Sequence, residues 1–208
     1  MRKQSPLEEQ LNAGTHGIGV LLGIAALILL IIYNDNKGTY NLFSVIVYGI
    51  SIIILFAAST LYHAIKREKH KHYFRILDHI SIYLLIAGTY TPVCLILLEQ
   101  SKGWLLFWIV WGIAGLGLII KIFFTGRFEV FSLLLYLIMG WLIVFDFTYL
   151  SNVLGPKGVL WLFAGGLFYT LGIVFYAIER IPYNHVIWHL FVLAGAISHF
   201  LMIFWYVI

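Results

Sequence analysis

Three histidines lie in one apolar stretch near the end of the chain, "YNHVIWHLFVLAGAISHF". Two of them, His185 and His189, are four residues apart, which places both side chains on one face of a helix. Another histidine, His63, follows Ser59 in an "SxxxH" pattern at the end of a different apolar stretch. Imidazole is costly in hydrocarbon, so histidines in such stretches indicate a bound partner or a chemical task.

This pattern is typical of metal ligands. Two histidines at i and i+4 supply one edge of a coordination polyhedron, a third from another helix supplies a further ligand, and an open fourth position is typical of catalytic zinc. Neutral imidazoles suit zinc. Asp78 is then a ligand, a partner of a water molecule at the metal, or a second-shell group that orients a ligand.

The composition requires an integral membrane protein. Of 208 residues, 62% are hydrophobic and 11% are charged, whereas a soluble domain has about a quarter charged residues. The net charge of +4 is too small and too scattered to indicate a nucleic-acid partner. One cysteine, Cys94, excludes a disulfide framework and a CxxC metal site.

Seven apolar stretches are long enough to cross about 30 Å of hydrocarbon. We therefore predict an all-α membrane protein, a seven-transmembrane helix bundle that forms a single domain over residues 1–208. The predicted helices lie at about 15–33, 41–64, 76–98, 104–123, 129–149, 158–178 and 186–207.

The basic residues predict the orientation of this bundle, because Lys and Arg in short loops stay in the cytoplasm. With the N-terminus inside, the inner segments hold ten basic residues and the outer loops hold three. An odd number of crossings then predicts a cytoplasmic N-terminus and an extracellular C-terminus. The inner residues are Arg2, Lys3, Lys66, Arg67, Lys69, Lys71, Arg75, Lys121, Arg127 and Arg180, and the outer ones are Lys37, Lys102 and Lys157.

This topology predicts that the unusual polar residues share one depth. At 1.5 Å of rise per residue, Asp78, His63 and His185 should lie within a few ångströms of one level near the cytoplasmic face. Ser59 and His189 should lie roughly one turn deeper. We expect these five side chains to converge.

The remaining histidines have less specific interpretations. His70 and His72 lie in a basic loop and are expected to be solvated. His199, about 15 Å beyond His189, would bond another helix or line a substrate cavity, with the structural role favoured. His16 and His79 stay open between packing, a second-shell role and substrate contact.

Other polar or irregular positions are expected to be structural. Asp146 would be an exposed carboxylate near the outer end of the fifth helix. Glu129 and Glu179 would snorkel or pair with Arg127 and Arg180. Pro92 in "AGTYTP" would kink the third helix, and the small residues of "AGGLFYTLG" would allow close helix packing.

Together the motifs "EEQLNAGTHGIG", "SxxxH", "LDHISIYLLIAGTYTP" and "HVIWH" resemble the bacterial hemolysin III proteins. These belong with the progestin and adipoQ receptor family, which is related to adiponectin receptors and alkaline ceramidases. The resemblance covers essentially the whole chain. It implies a zinc ion held by His63, His185 and His189, with Asp78 contacting a water molecule at the zinc and Ser59 beside it.

The wider resemblance, to metal-dependent membrane hydrolases, implies attack of water on the amide or ester carbonyl of an acyl-chain lipid that enters from the membrane. Asp78 would take the proton of that water, and Ser59 would hold the oxyanion or the leaving group. A non-catalytic lipid sensor with structural zinc and a membrane-damaging hemolysin are the alternatives. Short loops and apolar helices disfavour direct pore formation.

Overall fold

The computed structural model describes residues 4–35 and 38–208, and within these ranges the chain is helical with no strand. A π-helical turn at Val93–Leu97 and a 3-10 turn at Leu142–Asp146 join some of the α-helices. The α-helices are α1 (Pro6–Tyr33), α2 (Asn41–Ala64), α3 (Glu68–Pro92), α4 (Gly103–Phe124), α5 (Glu129–Trp141), α6 (Phe147–Ala177) and α7 (Asn184–Tyr206).

Six helical stretches in the described ranges are long and apolar enough to span a membrane. The fifth, Glu129–Ala177, contains 49 residues, and its backbone leaves helical geometry at Gly155, where φ is 69° and ψ is 171°. A positive φ of this kind suits glycine. The chain reverses there, since the rings of Phe147 and Phe163 lie 5.6 Å apart. Helical structure continues on both sides up to Gly155, so the sequence prediction of a break between residues 149 and 158 was too wide.

The first helix begins at Pro6, nine residues earlier than predicted. Ser5 caps it, because the Glu8 backbone N–H donates to the Ser5 hydroxyl and the Ser5 N–H donates to the Glu8 carboxylate. This capping box starts a helix in a segment too polar to be read as a membrane span. The extension brings Glu9 and Asn12 into the same helix as the apolar residues that follow.

The third helix also begins earlier than predicted, at Glu68 instead of about residue 76. Its first turns carry charged residues whose hydrogen bonds to other helices secure it: Lys71 Nζ lies 2.6 Å from a Glu9 oxygen. The regular helix ends at Pro92, as the proline predicts, and continues as the π-helical turn.

Two expectations about carboxylates were wrong. Asp146 is buried, not exposed, and accepts hydrogen bonds from the Ser101 hydroxyl and the Lys102 backbone N–H, both at 2.9 Å. Its carboxylate therefore ties the start of α4 to the 3-10 turn. Glu129 pairs at 2.9 Å with the fully buried Lys121, not with Arg127, because helices α4 and α5 bring these two side chains face to face.

The packing order places α1 against α2 and α7, α2 against α3, α3 against α4, and α6 against α7. Helix α2 ends, and helices α1, α3 and α7 begin, at one end of the bundle. The side chains contributed by these four helix ends form the site described next.

Candidate metal site

Three imidazoles meet where α2 ends and α7 begins. His63, His185 and His189 each offer a ring nitrogen, and these three atoms all lie within 4.8 Å of one another. Their ring centroids are 4.7 to 5.1 Å apart. His185 and His189 lie on consecutive turns of α7, so the helix itself fixes their spacing. The sequence predicted this convergence from depth alone.

Hydrogen bonds from α1 fix two of the three imidazoles. His63 Nδ1 lies 2.6 Å from a Glu9 carboxylate oxygen, and His189 Nδ1 lies 3.2 Å from the Asn12 carbonyl oxygen. Both oxygens accept, so each Nδ1 carries the proton. The Nε2 atoms of His63 and His189 are then left with free lone pairs, which is the arrangement that metal-binding histidines use.

The His63 Nε2 atom tests whether a metal ion fits. It is buried and has no hydrogen-bond partner in the described part of the chain. An unpaired nitrogen in an apolar interior is costly, and coordination to a metal removes that cost. The residues of this site can therefore hold a metal ion.

The three imidazoles line a cavity of about 320 Å³. The other two residues that the sequence singled out, Ser59 and Asp78, line this cavity as well. Asp78 and Ser59 face it from α3 and α2, and the Asp78 carboxylate is not among the atoms that could coordinate the ion directly together with the three imidazoles. The Ser59 hydroxyl is buried and faces the Asp78 carboxylate. The cavity thus presents a carboxylate and a buried hydroxyl beside the histidine cluster.

His16 is close to this cluster. Its ring stacks on that of His189, with centroids 3.6 Å apart and planes 9° apart, and it lines the cavity. His79 also lines the cavity, and its Nδ1 lies 3.8 Å from a Glu129 carboxylate oxygen. His70 and His72 are exposed, as expected.

Sequence reasoning missed the role of the N-terminal turns of α1. The spacing of Glu9, Asn12 and His16 is i, i+3 and i+7, which is one helical face. That signal was available, but the first helix was predicted to begin near residue 15, so these residues were not placed on a common face.

The fold and this cluster define a class of protein: a helical membrane protein with a buried three-histidine cluster, able to hold a metal ion, at one end of its bundle. The chain belongs to the haemolysin-III related family, whose family model matches residues 4–200. It is 48% identical over 202 residues to hemolysin-3 of Bacillus cereus, covering 97% of this chain and 92% of the relative.

Two further relatives are similar to this chain over nearly its whole length. The hemolysin-3 homolog of Bacillus subtilis (strain 168) is 44% identical over 200 residues, covering 96% of this chain and 94% of the relative. The human monocyte to macrophage differentiation factor is 30% identical over 210 residues, covering 98% and 86%. The resemblance inferred from the motifs is confirmed, and the protein is a multi-pass integral membrane protein.

The hydrogen bond between the Glu9 carboxylate and His63 should increase the affinity of the site for a metal ion. Replacing this carboxylate in Glu9→Gln should weaken binding of a first-row divalent ion by about 10- to 100-fold, because His63 Nδ1–H loses its charged acceptor. Competition with a chelator of known affinity, on purified protein, measures this.

The matched control is Glu68→Gln, since Glu68 lines the mouth of the same cavity but makes no hydrogen bond to the three imidazoles. It should keep the wild-type affinity. Equal affinities in wild type and Glu9→Gln would show that Glu9 does not support the metal site.

Proposed function

We propose that this protein is a zinc-dependent hydrolase that cleaves an amide or ester of an acyl-chain lipid inside the membrane. The observation that carries the proposal is the cavity in which three converging imidazoles lie beside a carboxylate and a buried hydroxyl. Three histidine ligands with room for a further group are typical of catalytic zinc. Bound zinc acts as a Lewis acid and lowers the pKa of a water molecule toward neutrality.

Metal binding, proton transfer and stabilisation of the developing negative charge would fall to different side chains. His63, His185 and His189 would hold the ion, and Glu9 would keep His63 in the tautomer that binds it. Asp78 would accept the proton of the attacking water, as a general base does. Ser59 would donate a hydrogen bond to the oxygen that becomes negatively charged, or to the leaving group. Membrane lipids are the proposed partners, because the helices face hydrocarbon.

The catalytic proposal is tested by separating metal binding from turnover. Asp78→Asn should keep much of the zinc, because three imidazoles remain, and should lower the rate by about 10² to 10⁴ because the base is lost. His189→Ala should lose both zinc and activity. The assay is release of fatty acid from ceramide-like amides and lysolipid esters by protein in nanodiscs.

Turnover that neither substitution changes would contradict this catalytic site. The absence of turnover by wild type on every acyl substrate would favour a lipid sensor with structural zinc. The names of the Bacillus relatives raise membrane damage as another function, which leakage of dye-filled vesicles tests independently. We favour the hydrolase because the buried polar groups converge on an internal cavity.

We also propose seven membrane crossings, with the N-terminus in the cytoplasm and the C-terminus outside. The stretch Glu129–Ala177 contains 49 residues. At 1.5 Å per residue a straight helix of that length would extend roughly 70 Å, over twice the hydrocarbon thickness. The reversal at Gly155 supports two crossings within Glu129–Ala177. The excess of basic residues in alternate loops supports the orientation.

A reporter protein at the C-terminus tests this topology. A fluorescent protein that matures only in the cytoplasm should stay dark when fused after Ile208, because an odd number of crossings places it outside. The same reporter fused before the N-terminus should be bright. A bright C-terminal fusion would contradict either the number of crossings or the orientation.

A further inference from the structure

A second group of buried polar atoms lies away from the histidine cluster, where α6 packs against α7. The rings of Tyr169 and His199 lie 5.5 Å apart, and both line a mainly apolar cavity. Neither Tyr169 Oη nor His199 Nδ1 has a hydrogen-bond partner in the described part of the chain, although both atoms are buried. Unpaired buried polar atoms on residues that line an apolar cavity indicate a missing partner.

The hydrogen-bonding character of each atom follows from its surroundings. His199 Nε2 lies 3.2 Å from the Leu162 carbonyl oxygen, which only accepts, so the proton is on Nε2. His199 Nδ1 is therefore an acceptor, while the Tyr169 hydroxyl is both a donor and an acceptor. A ligand hydroxyl matches this pair, because it donates to the imidazole and accepts from the phenol. A simple alkyl chain matches neither atom.

Close packing holds the two rings in place. A side chain at Gly165 would collide with the His199 ring, and a Cβ at Gly195 would lie 2.8 Å from Tyr169 Cζ. Gly165 lies four residues before Tyr169 on α6, and Gly195 lies four residues before His199 on α7. The ring on each helix therefore packs against the glycine of the other helix. The Tyr169 and His199 polar atoms are thus pre-organised for a ligand, which reduces the entropy lost on binding.

The apolar cavity adjoins the cavity of the histidine cluster. The two share four lining residues, Leu55, Ile82, Trp188 and Val192. His199 lies ten residues beyond His189 on α7, so the two sites are about 15 Å apart along the helix. At about 1.2 Å per bond of an extended chain, roughly 12 carbon atoms cover this distance.

We propose that Tyr169 and His199 form a binding site for a hydroxyl group carried on the acyl chain of the ligand, roughly 12 carbons from its carboxyl or carbonyl end. The ligand hydroxyl donates to His199 Nδ1 and accepts from Tyr169 Oη. The ligand class is therefore a mid-chain hydroxylated acyl lipid. Its assignment as a substrate rests on the proposed function, but its binding does not.

The test compares the binding of 12-hydroxyoctadecanoic acid and octadecanoic acid to zinc-supplemented protein in nanodiscs. Neither free acid can be hydrolysed, so the result does not depend on turnover. Wild type should bind the hydroxylated acid about tenfold more tightly, which is the effect of one well-placed buried hydrogen bond. Tyr169→Phe should reduce this preference, because only the bond to His199 Nδ1 remains, while leaving the affinity for octadecanoic acid unchanged.

Tyr83→Phe is the matched control, since the Tyr83 hydroxyl is also buried but Tyr83 does not line the apolar cavity. It should keep the preference of wild type. Thermal unfolding of each variant checks that it is folded. The proposal is overturned if wild type binds both acids equally or binds neither, or if Tyr169→Phe weakens both equally.

Discussion

The cost of an unpaired polar atom in an apolar bundle is the constraint on which this structure depends. A histidine nitrogen surrounded by hydrocarbon needs a partner, and water is scarce there. Helix α1 supplies that partner twice, with the Glu9 carboxylate for His63 and the Asn12 carbonyl for His189. These bonds hold both rings with Nε2 free. The same constraint makes the remaining unpaired His63 Nε2 informative about what the protein binds.

Two of the cavities in the bundle differ in polarity. At the end where α2 stops, charged and imidazole side chains converge; further along α7 the walls become apolar. A lipid with a polar reacting group and a long chain has the same division of polarity. Access from the surrounding hydrocarbon would require no aqueous path for the chain. The proposed chemistry and the proposed ligand class therefore follow from one gradient of polarity inside a single set of helices.

The all-helical membrane bundle and the placement of Ser59, His63, Asp78, His185 and His189 around one cavity agree with the sequence prediction, because length, hydropathy and a rise of 1.5 Å per residue determine both. The number of crossings stays a prediction. The early start of α1 was not predicted, because hydropathy identifies apolar spans and does not detect a capping box within a polar segment. The sequence also did not predict the long-range partners of two carboxylates. Glu129 pairs with Lys121, not with Arg127, and Asp146 is buried by contacts with the start of α4. Such pairs depend on how helices pack, which spacing alone does not encode.

We propose that three imidazoles from α2 and α7 hold one zinc ion. X-ray absorption at the zinc edge, on protein purified without added chelator and analysed for metal content, tests it most directly. We expect about one zinc per chain, with about three imidazole nitrogens at about 2.0 to 2.1 Å, and loss of that signal in His63→Ala. Protein that retains no zinc when zinc is supplied, or a zinc environment unchanged in His63→Ala, would contradict it.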